Sequence, residues 1–346
     1  MFIFYDIFWK MNIIKDKTMK KIYCLALAAA LLLAGTVISC KKTDDTSVII
    51  FTSTEDFRTE HMQELLKEKF PDYDITLQVL NTGNHAAKLK AEGTQTEADI
   101  ILNLETCYLE GLQDIMADLS SYDLSEFLPE LVPTSKCYLP WDKSSGAIVI
   151  NREKLDSLNL PLPGSYEDLL NPVYKGLISM PNPKTSGTGY MFLVSLINAW
   201  GEDAAFSYFD RLAENILQFT TSGSGPVNAL IQGEVAIGLG MTLTAVNAIN
   251  SRNVPLELYY FAEGAPNITT SFGLIKGKDA RPVVKEVFEF VLTRLLKDDK
   301  ELYCPEPIMK NQPNNIPNYP RNIQYSVMDG VYDLALKERL LEKWKY

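Results

Sequence analysis

Histidine is the scarcest reactive residue in this chain, with two in 346 positions, His61 and His85. A hydrolytic triad would have to recruit one of them, and no G-x-S-x-G motif is present to supply its nucleophile. The five cysteines include no C-x-x-C pair, so a zinc site has little to be built from. The phosphate loop G-x-x-x-x-G-K-[ST] is missing, which argues against nucleotide hydrolysis. Basic residues are outnumbered, 33 Lys and Arg against 44 Asp and Glu. A net charge of −11 lacks the basic footprint that nucleic-acid phosphates demand. It says little about a small ligand, which responds to the local field of its cleft. Internal repeats and low-complexity tracts are also lacking. What remains, 46% apolar and 22% charged, is an ordinary globular composition.

Only one apolar run is long. Met19-Lys20-Lys21 precedes "IYCLALAAALLLAGTVIS", and Cys40 follows. A charged start, an apolar stretch and small residues before a cut site make a secretory signal over residues 1–39. Val37-Ile38-Ser39-Cys40 resembles the lipobox of bacterial lipoproteins, in which the cysteine is acylated and becomes the new N-terminus. A transmembrane helix is the competing reading, but the run is at the short end for a span and leads into a polar tether, residues 40–47. Residues 1–18 put acids and aromatics ahead of a complete signal, so translation is expected to start at Met19. Loss of residues 1–39 removes five Lys and two Asp and moves the net charge to −14. Once Cys40 is acylated, Cys107, Cys137 and Cys304 remain. Cys107 and Cys137 are free to pair, and buried free thiols are an equal alternative.

The remainder is long enough for about two domains. "SVIIF", "DITLQVL" and "ADIILNLE" read as strands, separated by the helical patterns "EDFRTEHMQELLKEKF" and "HAAKLKAEG". The middle repeats this grammar through "SSGAIVINREKL", "GLISMP", "GYMFLVSLINAW", "AAFSYFDRLAEN", "ILQFT", "PVNALIQG" and "EVAIGLG". "LELYYF" and "SFGLIKG" are further strands. "RPVVKEVFEFVLTRLL" and "DLALKERLLEKWKY" are helices flanking a Pro/Asn-rich loop. Alternation of this kind predicts an α/β fold with a parallel sheet covered by helices.

In such sheets, ligands bind beyond the carboxyl ends of strands, where backbone donors at helix N-termini converge. Four loops sit at such ends: 52–56, 103–106, 183–190 and 220–225. The richest is "PKTSGTGY". Ser186 is placed to cap the next helix, and Gly187 and Gly189 allow close backbone approach. Thr185, Ser186 and Thr188 add hydroxyls, and Lys184 adds charge. The combination favours a carboxylate, phosphate or phosphonate. Simple N-capping explains many such loops. Thr221-Ser222-Gly223-Ser224-Gly225 repeats the chemistry, and two such loops favour a site. Tyr259-Tyr260 invites a ferric-iron reading, but aromatic residues in a buried strand account for the pair.

"NPVYKGLISMPNPKTSGTGYMFLVSLINAWG", "TSGSGPVNALIQGEVAIGLG" and "FAEGAPNITTSFGLIKG" resemble the extracellular solute-binding proteins of ABC importers, in the family of ferric-iron, phosphonate and hexose-phosphate binders. The resemblance covers nearly all of the chain after the signal. It implies a two-lobed, type 2 periplasmic-binding-protein fold that closes about a hinge, with 48–146 plus 262–346 as lobe 1 and 147–261 as lobe 2. It implies binding rather than catalysis, no cofactor, a monomer anchored by lipid, and an ABC permease and ATPase as partners. Carried over, the ligand site comprises Ser53, Thr54 and Asn103 from lobe 1 and Thr185, Ser186, Gly187, Thr188, Thr221 and Ser222 from lobe 2. Thr52 adjoins the first group, Glu263 lies near the return crossing, and Glu105 is the weakest member because a carboxylate repels an anion. Iron binders of the family carry adjacent tyrosines after the segment matching "GEVAIG". Here Met241 and Thr242 stand there, so an organic anion is expected. A ferric-iron binder and a ligand sensor without transport are the alternatives.

Overall fold

The computed structural model describes residues 46–346. The signal, the start at Met19, Cys40 and the tether up to residue 45 lie outside the described residues. The chain opens with β1 (Ser47–Thr52), α1 (Asp56–Lys69), β2 (Asp74–Val79), α2 (Thr82–Glu92), β3 (Ile100–Glu105) and α3 (Thr106–Glu110). A long strand, β4 (Leu139–Asn151), leads to α4 (Arg152–Ser157), β5 (Ile178–Pro181), α5 (Gly187–Trp200) and α6 (Glu202–Leu212). Then come β6 (Ile216–Thr220), α7 (Gly225–Ile231), β7 (Ile237–Met241), α8 (Thr242–Arg252), β8 (Leu256–Tyr259) and β9 (Asn267–Leu274). The chain ends through α9 (Pro282–Phe290), a π turn at Val291–Leu295, α10 (Leu296–Leu302) and α11 (Leu334–Lys343). Among the described residues no helix is long and apolar enough to cross a membrane.

The strands follow the order β2-β1-β3-β9-β4-β7-β5-β6, with β8 paired to β4. A wholly parallel sheet is not what forms. Pairs β1–β2, β1–β3, β5–β6 and β5–β7 are parallel, whereas β4 and β9 run antiparallel to their neighbours. The reason is that β4 and β9 cross between two α/β lobes and are not members of a strand–helix–strand repeat. Residues Leu139–Ser145 of β4 pair with β9, and from Gly146 onward the same strand pairs with β7. The switch is pinned by the buried carboxylate of Glu306. It accepts from the Ser145 amide (3.1 Å) and hydroxyl (2.7 Å), and from the hydroxyls of Tyr319 (2.7 Å) and Tyr325 (2.8 Å).

Each lobe has its own core. Val48, Ile50, Met62, Leu66, Trp141, Phe272 and Phe288 are buried together in the first. Met62 and Leu66 stand one helical turn apart on the face of α1 that meets the sheet. In the second lobe, Ile148, Ile178, Tyr190, Phe192 and Phe209 pack around α5, whose first ten residues are buried. The last helix departs from the expected boundary, which assigned all of 262–346 to lobe 1. Leu340 and Trp344 are buried in the core of the second lobe, with the Trp344 ring 5.3 Å from that of Phe209. Burying an indole outweighs sequence neighbourhood, because so large an apolar surface gains most where a core is available.

Candidate functional site

Six of the expected residues come together around one cavity of about 220 Å³. Ser53 and Thr54 reach it from the end of β1, Thr185 and Ser186 from the loop before α5, and Thr221 and Ser222 from the loop before α7. Val79 to Thr82 at the end of β2, Glu55 and Asp56, and Gly223 and Ser224 complete the wall. The N-terminal ends of α1, α2 and α5 therefore all face it, bringing backbone N–H groups and the positive ends of helix dipoles together.

Local hydrogen bonds fix these loops. The Thr52 hydroxyl lies 2.7 Å from that of Thr54 and accepts from the Thr54 amide, which bends the chain out of β1. Ser53 Oγ is 2.9 Å from Nδ1 of His85, a wholly buried ring whose pKa burial lowers to about 3. A neutral imidazole thus orients the Ser53 hydroxyl at any ordinary pH. Asn81 caps α2 by accepting from the Asn84 amide at 2.9 Å. In the third loop, Asn182 O accepts from the amides of Thr185 (3.1 Å) and Ser186 (2.9 Å).

Ser186 occupies the N-cap position of α5, yet its side chain makes no capping bond. The expectation that this hydroxyl caps the helix is therefore not met, and the hydroxyl remains available at the cavity wall. Thr188 and Gly187 stand just behind the wall. A Cβ at Gly223 would collide with Thr188 Oγ1, so the 221–225 loop presses directly on the first turn of α5. A Cβ at Gly187 would collide with Glu105 Oε1. Glu105 is buried and paired with Lys337 of α11, which also stands over the rings of Tyr108 and Tyr190. Its charge is thereby matched inside the protein.

Three expected members are elsewhere. Asn103 is buried in a left-handed conformation (φ 55°) at the β3 bulge, away from the cavity wall. Glu263 lines a different cavity, because the turn after Phe261 carries it towards Tyr166 and Trp200. Lys184 is exposed and contributes only backbone contact, its carbonyl lying 2.8 Å from where a Cβ of Gly83 would stand. Among the described residues, the wall thus contains no lysine or arginine. The guanidinium of Arg58, at the start of α1, is fully buried against Glu55, Asp142 and Asp299. Tyr259 bonds Glu257, and the Tyr260 hydroxyl lies 3.1 Å from Thr242 Oγ1; neither lines the cavity. The three described cysteines, Cys107, Cys137 and Cys304, are buried free thiols.

Sequence reasoning misses Asn81, Thr82 and His85. Their segment, "NTGNHAAK", follows a strand and opens a helix like the other loops, and its Asn-Thr-Gly start is the available signal.

The model of a family described as bacterial extracellular solute-binding protein matches residues 115–330. An uncharacterized protein of Haemophilus influenzae is 27% identical over 273 residues, which cover 73% of this chain and 75% of that protein. A putative 2-aminoethylphosphonate-binding periplasmic protein of Salmonella typhi is 22% identical over 229 residues, 64% of this chain and 65% of the other. Among solved structures, the periplasmic binding protein AfuA from Actinobacillus pleuropneumoniae, with fructose-6-phosphate bound, superposes with a TM-score of 0.75 at 22% identity. That match covers 86% of this chain and 97% of AfuA. Iron-bound HitA from Pseudomonas aeruginosa superposes with a TM-score of 0.69 at 17% identity, over 86% of this chain and 99% of HitA.

Proposed function

Since the chain belongs to the bacterial extracellular solute-binding proteins, we propose that it captures a small organic anion, a phosphonate or phosphate ester, between its lobes for an ABC permease. The observation that carries this reading is the uncommitted Ser186 hydroxyl at the start of α5, facing a cavity shared with Ser53, Thr54, Thr221 and Ser222. Hydroxyls and helix amides bind an anion by hydrogen bonding, without a cationic side chain. Thr185, Ser186, Thr221 and Ser222 belong to the second lobe, and Ser53 and Thr54 to the first. A ligand touching both sets stabilises the closed arrangement by its extra contacts there. The β4 switch at Ser145 and Gly146, held by Glu306, is the hinge on this reading.

The two acids of the wall narrow the solute. Glu55 is committed to Arg58, while Asp56 is exposed and has no ion pair among the described residues. A solute carrying an amine beside its phosphonate would set the amine against Asp56 and the anion against Ser186. The relative named for 2-aminoethylphosphonate is consistent with that class. Acylation at Cys40 would hold the protein at the outer face of the membrane, next to the permease and its ATPase.

Thermal unfolding of the full chain tests the proposal. It would be run with 2-aminoethylphosphonate, fructose-6-phosphate, inorganic phosphate, acetate and ferric citrate, for wild type and Ser186→Ala. A solute at a hundred times its Kd stabilises the native state by about 2.7 kcal/mol. The expected result is a rise in Tm with a phosphonate or phosphate ester that the variant loses. A rise with ferric citrate alone would overturn the assignment.

A further inference from the structure

Glu263 points to a second site. It stands on the turn that follows Phe261, where the Gly264 amide donates to Phe261 O at 2.9 Å and Gly264 adopts a φ of 86°. Ala265 then bonds Gln324 and Ser326 through its backbone at 2.8 and 2.9 Å, so the turn is held firmly from the far side. Glu263 is a half-buried residue, and its carboxylate has neither an ion pair nor a hydrogen bond among the described residues. A carboxylate with no partner of its own is available to a visiting cation.

The surroundings are aromatic. Glu263 lines a cavity of about 500 Å³ with Tyr166, Trp200, Tyr208, Glu167 and Arg211. The Trp200 ring centre is 5.1 Å from that of Tyr208 and 5.8 Å from that of Tyr166, with interplanar angles of 72° and 86°. The Tyr208 hydroxyl donates to Tyr166 O at 3.0 Å, so these two buried rings form a rigid backing behind the half-buried indole. Arg211 is matched by Glu167 at 3.0 Å, which leaves one uncompensated negative charge in the wall. Burial and then the field of Glu263 push the Tyr166 phenol upward, which puts the carboxylate within electrostatic reach of that hydroxyl.

We propose that this pocket of the second lobe binds a small organic cation, with a methylated ammonium resting on Trp200 and paired with Glu263. Aromatic faces attract a weakly hydrated ammonium through their quadrupole, and a carboxylate at the rim adds charge. The site is separate from the anion cavity and does not rest on the function proposed for it.

The probe pair is choline and its uncharged isostere 3,3-dimethylbutan-1-ol, titrated into the full chain at constant ionic strength while tryptophan fluorescence is followed. Choline should give a saturable change, the alcohol none. Glu263→Gln should weaken choline about tenfold or more, the loss of roughly one ion pair. Trp200→Phe should remove the signal, and calorimetry on that variant should still register choline binding. Ser186→Ala should leave choline binding unchanged. Equal responses to choline and the alcohol, or unaltered choline binding in a Glu263→Gln protein that melts like wild type, would overturn the proposal.

Discussion

Two polar regions lie within five residues of each other at the start of α1, and they are built on opposite principles. Around Arg58 everything is used. Its Nε and Nη2 donate to the two oxygens of Asp299 at 2.8 and 2.7 Å, Nη2 also to Asp142 at 2.8 Å, and Nη1 to Glu55 at 2.9 Å. Asp142 accepts further from Thr270 at 2.9 Å, and Lys300 donates to Asp299 at 2.7 Å. Burial alone would raise the Asp299 pKa, but Arg58 and Lys300 outweigh it and hold it at about 2. Around the cavity, by contrast, loops held by their own backbone present the Ser53 hydroxyl oriented by His85, the Ser222 hydroxyl bonded only to that of Ser224 at 3.2 Å, and the Ser186 hydroxyl without any cap bond. A buried polar group with every bond made is architecture; a group fixed in place with bonds to spare is a recognition surface.

The sharpest way to break the first region is Arg58→Ala. It leaves Asp142 on β4 buried without its counter-charge and Asp299 on α10 with Lys300 alone. The expected loss is about 3–5 kcal/mol in denaturant unfolding, a large share of the stability of an ordinary protein. Ligand affinity, read at a temperature where the variant is still folded, should change far less. If the variant unfolds like wild type, the contrast between the two regions is wrong.

Next in size is Gly223→Ala, which attacks the second region through its packing. The new methyl would collide with Thr188 Oγ1 and meet Met241 Sδ at 2.8 Å. The 221–225 loop must then lift from α5, at about 1–3 kcal/mol in stability. Solute-dependent stabilisation should fall with it, because Thr221 and Ser222 move away from Ser186. Retained solute stabilisation would mean that this loop is not part of the clamp.

The pH dependence distinguishes the regions again. His85 in the folded protein has its pKa lowered to about 3 by burial, against an ordinary 6.5. Below pH 6.5 the unfolded chain therefore takes up a proton that the folded chain refuses. Stability should fall as pH drops from 6.5 towards 3, by about 1.4 kcal/mol per unit from this group. His85→Gln should flatten that part of the profile, as measured by unfolding between pH 7 and 5. An unchanged slope would show that the ring is not kept neutral by burial.

Much of the fold is legible in the sequence, and what is not has a common cause. Apolar patterning marks β1, α1 and β2, which each bury part of their surface against an adjacent element, and β3, which reads as a continuous run because it is buried along its whole length. The first half of β4 carries no such signal. "LPWDKSS" mixes a proline with charge, and its polar members are satisfied by Arg58 and Glu306, remote in sequence. Helix α8 is equally hidden, since "TLTAVNAINSR" is rich in Thr and Asn and becomes helical through the burial of Leu243, Ala245 and Val246. The hydroxyl loops can be found because Ser, Thr and Gly after a strand have a local meaning. Glu105 cannot be judged from its neighbours, because its partner Lys337 is 232 positions away. Glu263 escapes for a similar reason: a single turn decides which cavity it enters.

The finest test compares two residues that occupy the same formal position. Asn81 and Ser186 are both N-caps, but Asn81 accepts from the Asn84 amide and Ser186 makes no cap bond. Asn81→Ala should therefore cost about 1 kcal/mol, the ordinary worth of a cap. Ser186→Ala should cost only a few tenths, since no intramolecular bond is lost. With the bound solute the order should reverse. The Ser186 variant loses a direct contact and with it most of the solute-induced rise in Tm, whereas the Asn81 variant keeps most of that rise from a lower baseline. Equal costs without solute would return Ser186 to the role of an ordinary cap, and the anion would then have to be held by the other loops.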